Sequence, residues 1–448
     1  MCNKIRIFGG LACLLTFLGS GIPAAGALEN QPAPAALAEA YVYAYPLYEI
    51  ARTRYAATWK QAAENSALNR LVHRRTLSDH TDRWVTTPNN DTLYSSAFLD
   101  LSQSPVEIST PDFADRYFSI AFLDAFTNNF ATIGRRTTGT APQHYLVVGP
   151  HWQGKAPADA KLIRAPGNWV WVLVRTLIQG QSELPLVHRL QDGIALHAVQ
   201  PFTARPPVAP LDNDAENFIA VVNQALAENP PPAADRPLLK RLAAVGIKPG
   251  GGLPAAAVLD AWKAAFPQLK QRLIEAGKSA RPTEVRHGWS YNPGNLGNFG
   301  SDYAYRALVA LVGLAALEPS EAVYSSAVTD QNGASLRGDR RYRWHLPAAG
   351  LPVDAFWSLS AYEVAPSGAL FFADNAIHRY AIGDRSEGLV KNADGSLDIL
   401  IQHAPPAERA SNWLPIPDGP VRLVLRAYQP RPEVLQGKYD FPAIELLP

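Results

Sequence analysis

Beyond Cys13 the sequence holds no cysteine, and its one methionine is Met1. Cys2 and Cys13 both lie in an N-terminal stretch that reads as a cleaved leader. The mature chain is therefore expected to have no disulfide, no thiolate nucleophile and no cysteine-based metal site. So little sulfur suits a protein working outside the cytoplasm, where thiols and thioethers are readily oxidised. An excess of either charge is lacking too. With 41 basic against 40 acidic residues and no basic tract, the chain is a poor nucleic-acid binder. No apolar run is long and uncharged enough to span a bilayer; even Ala304 to Leu317 is short and carries Arg306. Standard catalytic signatures are missing as well. There is no G-x-S-x-G elbow and no Walker loop, and Gly294, Gly297 and Gly300 form a loop spacer rather than a dinucleotide fingerprint. The ten histidines form no H-x-H or H-x-x-x-H pair, so no metal set is read and no cofactor is expected. Ligands converging from separate strands would leave no such mark.

What is present begins with targeting. Lys4 and Arg6 precede an apolar stretch from Ile5 to Leu18, and Ala25-Gly26-Ala27 supplies a small-x-small cleavage site. A lipid anchor on Cys13 would require cleavage inside the apolar region. Residues 1–27 are therefore read as a signal peptide, and the product as a soluble periplasmic or secreted protein.

After a Pro/Ala-rich linker, Ala36 to Trp59 reads as a helix carrying Tyr41, Tyr45, Tyr48 and Tyr55, which Pro46 should kink or split. Ala62 to Thr76 reads as a second helix. Strands are expected at Leu93 to Leu99, Tyr117 to Leu123, Tyr145 to Val148 and Trp169 to Leu177. Ser182 to Val199, Asn213 to Ala227, Arg236 to Val245 and Ala255 to Ala276 read as amphipathic helices covering another layer. A compact apolar helix, Ser301 to Leu317, follows a Gly/Asn-rich segment, and strands resume at Val323.

A weak repeat runs through this order. Tyr94-Ser95-Ser96-Ala97 recurs as Tyr324-Ser325-Ser326-Ala327, and Phe118-Ser119-Ile120 is echoed by Phe356-Trp357-Ser358-Leu359. Ile133-Gly134-Arg135-Arg136-Thr137 returns as Ile382-Gly383-Asp384-Arg385-Ser386, and Leu173-Val174-Arg175 as Val424-Leu425-Arg426. Echoes kept in order imply duplication. The expected fold is α+β: two similar β-sandwich or jelly-roll-like domains, with a helical N-terminal segment and a helical insert. The boundaries read 28–180 for the N-terminal helices and first β-domain, 181–300 for the insert, and 301–448 for a helix and the second β-domain.

Polar groups concentrate between Trp84 and Thr138. Thr87-Pro88-Asn89-Asn90-Asp91-Thr92-Leu93-Tyr94 opens this stretch, and Asp124-Ala125-Phe126-Thr127-Asn128-Asn129-Phe130 and Arg135-Arg136 close it. Asn and Asp serve turns through their own backbones, which accounts for any one of them; the cluster as a whole points to a pocket. Asp124 and Asp91 are the candidate catalytic carboxylates, at strand ends where burial can raise a pKa for acid–base work. The alternative is that each caps a turn. Arg135 and Arg136 suit an anionic group, although adjacent strand residues face opposite ways, so at most one serves a pocket. A surface pair or an interdomain salt bridge is the competing reading. Asn90, Asn128 and Asn129 would supply hydrogen bonds and Tyr94 a donor. The second repeat carries Trp357, Asn375, Arg379, Tyr380 and Arg385 in corresponding places but lacks a full match to Asn89, Asn90, Asp91 and Asn129. That excess predicts one pocket lined by Asn90, Asp91, Tyr94, Asp124, Asn129 and one of the two arginines.

These residues also carry a resemblance. Thr87 to Tyr94, Thr127-Asn128-Asn129-Phe130, Arg135 to Gly139 and Ile163-Arg164-Ala165-Pro166 are similar to domain of unknown function 1254. Ala355 to Leu359, Arg379 to Arg385, Asn392 to Leu397 and Asn412-Trp413-Leu414-Pro415 resemble domain of unknown function 1214. The resemblance, to bacterial envelope proteins that pair the two, implies two β-sandwich or jelly-roll-like domains with helices between them, and implies no chemistry. Members more often carry Asn or Asp where this chain has His378, which argues against a catalytic role for this histidine. Two readings of function stand. One is cofactor-free hydrolysis or elimination on a small organic or carbohydrate-like ligand, with Asp124 or Asp91 as base. The other is a non-catalytic envelope protein that clasps a ligand between its β-domains or serves assembly. Self-association into a homo-oligomer stays open.

Overall fold

The computed structural model describes residues 33–448 apart from 61–66, 84, 202, 204, 281–282 and 293. The leader read over residues 1–27, with Cys2 and Cys13, lies outside the described residues, as does Trp84. The chain is α+β, with a helical N-terminal segment, a helical insert and, among the described residues, four sheets. Among the described residues no helix is long and apolar enough to cross a membrane.

Helix α1 spans Pro34–Thr58 and is followed by strands β1 (Val72–His73), β2 (Thr92–Asp100), β3 (Val106–Thr110), β4 (Phe118–Leu123), β5 (Asn129–Gly134), β6 (Gln143–Val148), β7 (Lys161–Arg164) and β8 (Trp169–Leu177). Then come α2 (Leu184–Asp192), β9 (Ala195–Ala198), α3 (Ala215–Glu228), α4 (Arg236–Leu242), α5 (Ala256–Ala280), β10 (Glu284–Arg286), β11 (Trp289–Tyr291) and α6 (Tyr303–Val312). The C-terminal part holds β12 (Ala322–Ala327), β13 (Tyr342–Leu346), β14 (Val353–Val364), β15 (Leu370–Phe371), β16 (Ala381–Gly383), β17 (Leu397–Gln402), β18 (Trp413–Pro415), β19 (Val421–Pro430), α7 (Pro432–Leu435) and β20 (Ile444–Leu446).

Two inner sheets face each other across a seam. One has the order β1-β2-β8-β4-β5; the other runs β10-β11-β12-β19-β14-β15 with β16 also on β14. Each inner sheet is backed by a four-stranded outer sheet, β7-β6-β3-β9 in the first half and β18-β17-β13-β20 in the second. Phe118, Ile120, Phe122, Val172 and Val174 fill the first inner–outer core with Ile108, Tyr145 and Val147. Leu359, Leu423 and Leu425 fill the second with Trp344, Ile399 and Ile401. Both outer sheets hold one parallel pair, β6 with β7 and β17 with β18, in an otherwise antiparallel arrangement. The other faces of the inner sheets meet at the seam through Tyr117, Ala121, Leu123, Leu173 and Leu177 against Ala322, Phe356 and Tyr428.

Several local expectations are corrected. Helix α1 runs unbroken through Pro46. Its residues from Ala40 to Ala51 are nearly all buried, and that packing outweighs the lost backbone hydrogen bond. The described end of the expected second helix is the short strand β1 on β2. Asn69 opens it in a left-handed conformation, φ 55°, and its side-chain amide pairs with both backbone groups of Asp100. The helix expected to reach Val199 stops at Asp192 before Gly193, and β9 joins β3 instead. Helices α3, α4 and α5 do not cover a sheet alone; with α1 and α6 they enclose a core of their own around Tyr41, Phe218, Trp262 and Leu269. Strands β10 and β11 fall inside the expected insert but pair onto β12.

Candidate functional site

The seam is built from two matching rows of residues. Cross-strand registers place Gly134, Ser119, Arg175 and Tyr94 side by side on β5, β4, β8 and β2. The same registers place Gly383, Ser358, Arg426 and Tyr324 on β16, β14, β19 and β12. Strand alternation sends these serine, arginine and tyrosine side chains away from the apolar cores and into the seam. The glycines are needed where the neighbouring strand passes close. A Cβ on Gly134 would sit 2.5 Å from Phe118 O, and one on Gly383 2.3 Å from Trp357 O.

Each row starts at a buried carboxylate three residues ahead of its tyrosine, Asp91 in one half and Glu321 in the other. Both are held by an arginine from the opposite half. Arg385 Nη2 donates to Asp91 Oδ1 (3.2 Å), and Arg136 Nε donates to Glu321 Oε2 (2.7 Å). The remaining oxygens differ. Ser358 Oγ donates directly to Asp91 Oδ2 (2.5 Å). In the other half the Tyr117 hydroxyl donates to Glu321 Oε1 (2.8 Å) and lies 3.2 Å from Ser119 Oγ. Phe356 stands opposite, where Tyr117 has its counterpart, and with no hydroxyl there the shorter aspartate reaches the serine itself. The Arg385 guanidinium lies 4.0 Å from the Phe356 ring centroid.

The two central arginines break the match. Arg426 spends both terminal nitrogens: it donates to Ser360 Oγ (2.8 Å), Tyr362 Oη (2.6 Å), Thr87 O (3.1 Å) and Pro88 O (3.2 Å). Arg175 is just as buried, yet only its Nη2 has an acceptor, Ala315 O at 3.3 Å. Its Nε and Nη1 have no hydrogen-bond partner among the described residues. Burial alone would depress its pKa, but Tyr94, Tyr324, Tyr117 and Tyr428 around it pull the other way and the net shift is upward. An arginine stays protonated in any case, so the seam holds a cation with unspent donors and, among the described residues, no ion-pair partner. Burial pushes the Tyr117, Tyr324 and Tyr428 hydroxyls well away from ionisation. Tyr94, Ser96, Trp171 and Tyr324 on the same faces remain partly exposed.

The expected single pocket is not what the structure assembles. Asp91 belongs to the seam pair just described, and Asn89 Nδ2 beside it donates to Tyr428 Oη (2.8 Å). Asn90 Nδ2 donates to the carbonyl of Ser78. Tyr94 lies over Arg175, 5.3 Å from ring centroid to guanidinium. Asp124 instead closes its own turn: Oδ1 accepts from Phe126 N and Asn128 N (both 2.9 Å), and Oδ2 accepts from Asn128 Nδ2 (3.1 Å). Burial raises its pKa, with the Asn128 and Phe126 hydrogen bonds and the Arg306 charge opposing. Asn128 Oδ1 accepts from Phe299 N (3.1 Å). Asn129 Nδ2 donates to Ala316 O (2.8 Å) and Gly297 O (3.2 Å), tying β5 to the segments flanking α6. Asp124, Asn128 and Asn129 thus form a separate structural network.

Arg135 and Arg136 do line a cleft, an open one of about 400 Å³ at the seam's rim with Asp115, Ser320, Asp354 and Gln429. Arg135 donates to Asp115 Oδ1 (2.9 Å), Asp354 O (3.1 Å) and Gln429 Oε1 (3.0 Å). Arg136 also donates to Glu318 Oε1 (2.6 Å). Glu318 and Glu321 make Arg136 a cross-half salt bridge, whereas the ion-pair partner of Arg135, Asp115, belongs to its own half and Arg135 crosses only through Asp354 O and Gln429 Oε1. Neither Arg175 nor Arg306 was singled out as a binding group in the sequence. Arg306 on α6 is fully buried among the rings of Tyr43, Phe126 and Tyr303, with three nitrogens lacking a hydrogen-bond partner among the described residues. The repeated Leu173-Val174-Arg175 and Val424-Leu425-Arg426 was the available signal for Arg175.

Comparison with known proteins agrees with this architecture. The chain resembles the VPA0106 protein from Vibrio parahaemolyticus, whose crystal structure is known, at a TM-score of 0.73 and 22% identity over 93% of this chain and 100% of that one. The likeness shows the fold alone. An uncharacterized protein from Burkholderia cenocepacia aligns at a TM-score of 0.47 with 14% identity, covering 92% of this chain and 88% of that one. No curated protein matches. Residues 68–198 match the model of the protein of unknown function DUF1254, and residues 321–432 that of the protein of unknown function DUF1214. The chain belongs to the proteins that carry a DUF1254 region followed by a DUF1214 region.

Proposed function

We propose that this is an exported binding protein that takes a small organic acid into the seam between its halves, with the Arg175 guanidinium as the anchor. The observation that carries the reading is the buried Arg175, whose Nε and Nη1 have no acceptor and which faces tyrosines instead of a carboxylate. A buried unpaired cation costs several kcal/mol, a cost that a bound carboxylate would offset through charge-assisted hydrogen bonds. The tyrosine rings and Trp171 favour a ligand with an apolar or sugar-like body. Binding without turnover is the better fit, because every carboxylate oxygen of Asp91 and Asp124 already accepts a hydrogen bond. The shared strand order of the two halves and the matched rows support an origin by duplication of one sandwich-like unit, after which only one arginine kept open donors. Lys4, Arg6 and Ala25-Gly26-Ala27 support export, and the mass of the protein recovered from cells would begin after Ala27.

Thermal-shift screening against small carboxylates tests the reading. A ligand at a hundred times its Kd adds about 2.7 kcal/mol to the folded state, a clear rise in Tm. Arg175→Met should abolish the shift, and Arg135→Ala at the rim should keep it. No acid raising the melt, or a shift that survives Arg175→Met, would remove the assignment.

A further inference from the structure

We propose that His80, Asp374 and His378 form a surface site for a divalent transition-metal ion of the zinc type, one that ties the DUF1254 region to the DUF1214 region. One donor atom from each lies within 4.8 Å of the others. The site departs from the expectation of no metal, because its ligands are far apart in sequence and meet only through the fold. Two imidazoles and one carboxylate suit zinc, nickel or cobalt; magnesium and calcium prefer all-oxygen shells.

The surroundings hold the donors in place. His80 Nδ1 lies 2.8 Å from the Tyr380 hydroxyl and 3.6 Å from Asp374 Oδ1. Tyr380 is buried and stacks on Phe372 at 4.9 Å, so its hydroxyl holds Nδ1 and leaves Nε2 as the nitrogen for the ion, in the way outer partners orient metal-bound histidines. His378 is presented by a stitched turn. Its N–H donates to Asn375 O (3.0 Å), Arg379 N donates to Asn375 Oδ1 (3.0 Å), and Asn375 Nδ2 returns to Arg379 O (3.1 Å). The turn keeps His378 in the left-handed region at φ 48°, a conformation that costs a non-glycine residue energy and aims the ring toward the histidine of the other half. The His80 and His378 rings lie nearly parallel, 18° apart with centroids at 6.4 Å. Asp374 is 71% exposed at its side chain and free to close the last distance. Zinc bonds of about 2.0–2.2 Å ask the donors to draw closer than they stand, a movement this exposed aspartate allows. With three protein ligands, water completes the shell.

The place gives the ion a role. The segment leading to β2 is already pinned to the second half by the Arg83–Glu363 ion pair and by the hydrogen bond from Thr87 N to Leu370 O (2.7 Å). A metal at His80 would add a further tie between that segment and the second half.

Calorimetric titration of the untagged, chelator-treated protein with zinc tests this, with the visible absorption of the cobalt form as a second readout. One equivalent should bind and raise Tm. His80→Ala and His378→Ala should each weaken binding by at least about 100-fold, since losing a direct ligand exceeds the loss of an outer partner, and the exposed His378→Ala variant should melt like wild type without metal. His345→Ala, whose imidazole pairs with Asp398 (2.6 Å), should bind as wild type does. Absence of one-to-one binding, unchanged affinity in both ligand variants, or equal response to magnesium would overturn the site.

Discussion

At the scale of single residues, the two seam arginines make opposite predictions from the same chemistry. Replacing Arg426 with Met takes the donor from Ser360 Oγ and Thr87 O, while the Tyr362 hydroxyl and Pro88 O keep their bond to each other, and each buried group left without a partner costs about 1–3 kcal/mol. Arg426→Met should therefore lower stability by several kcal/mol. Replacing Arg175 with Met removes a buried charge that has one weak acceptor, and exchanges of that kind run from neutral to stabilising by about 1–4 kcal/mol. Chemical denaturation of the two variants decides the point; equal losses would mean that Arg175 is as structural as its counterpart. Asp384 yields a pH effect. Partial burial raises its carboxyl to about 6, with Arg385 opposing and Asp91 adding to the rise, and because 35% of the side chain stays exposed, solvent screens much of the effect and keeps it small. A raised carboxyl pKa means that the folded state holds the proton more tightly than the unfolded chain. The associated stability is present below the ordinary carboxylate range and is lost as pH rises through about 6. Across that window the Tm of the wild type should fall relative to Asp384→Asn, which keeps an acceptor for Trp357 N–H. Parallel Tm curves would refute this.

At the scale of elements, the Asn-rich segment ahead of β2 is a tie between halves. Its polar groups were legible in the sequence, because Asn, Asp and Pro in a row are conspicuous between apolar strands. Their targets were not, since Tyr428, Ser358, Arg385 and Arg426 lie at least 260 residues away in the chain. Strands β2, β4, β6 and β8 were readable from alternation and β-rich composition, and α3, α5 and α6 from apolar spacing. Strands β10 and β11 were hidden because such short pieces gain their order only from pairing onto β12. The counterpart of Asp91 was missed for a related reason: Glu321 differs by one methylene, and its role shows only when Arg136 and Tyr117 meet it. Arg385→Ala should leave Asp91 buried and unpaired at a cost of about 3–5 kcal/mol, and adding Asp91→Asn should recover much of that. A double-mutant cycle on denaturation midpoints measures the coupling. Independent, additive losses would show that the pair holds nothing together.

At the scale of the whole molecule, the seam makes the two halves one folding unit. Tyr428 stacks on Phe356 with centroids 4.1 Å apart, meets Tyr117 edge-on at 5.2 Å, and receives the Asn89 amide. All three rings are almost wholly buried, so separating the halves would expose them along with Asp91, Glu321 and both central arginines. Each inner sheet also has its own core against its outer sheet, which gives either half something to fold around. The seam therefore decides whether unfolding is a single event or two. With the seam intact, calorimetry should record one transition whose calorimetric and van't Hoff enthalpies agree. Tyr428→Ala opens a cavity at the centre of the contact, a change that costs about 3–5 kcal/mol for a large aromatic. Because the loss falls on the contact more than on either core, the variant should melt in two steps, the weaker half first. A variant that still melts in one step at a lower temperature would show that the helical core around α1, α5 and α6, which also reaches Phe126 and Trp169 of the first half, carries the coupling instead.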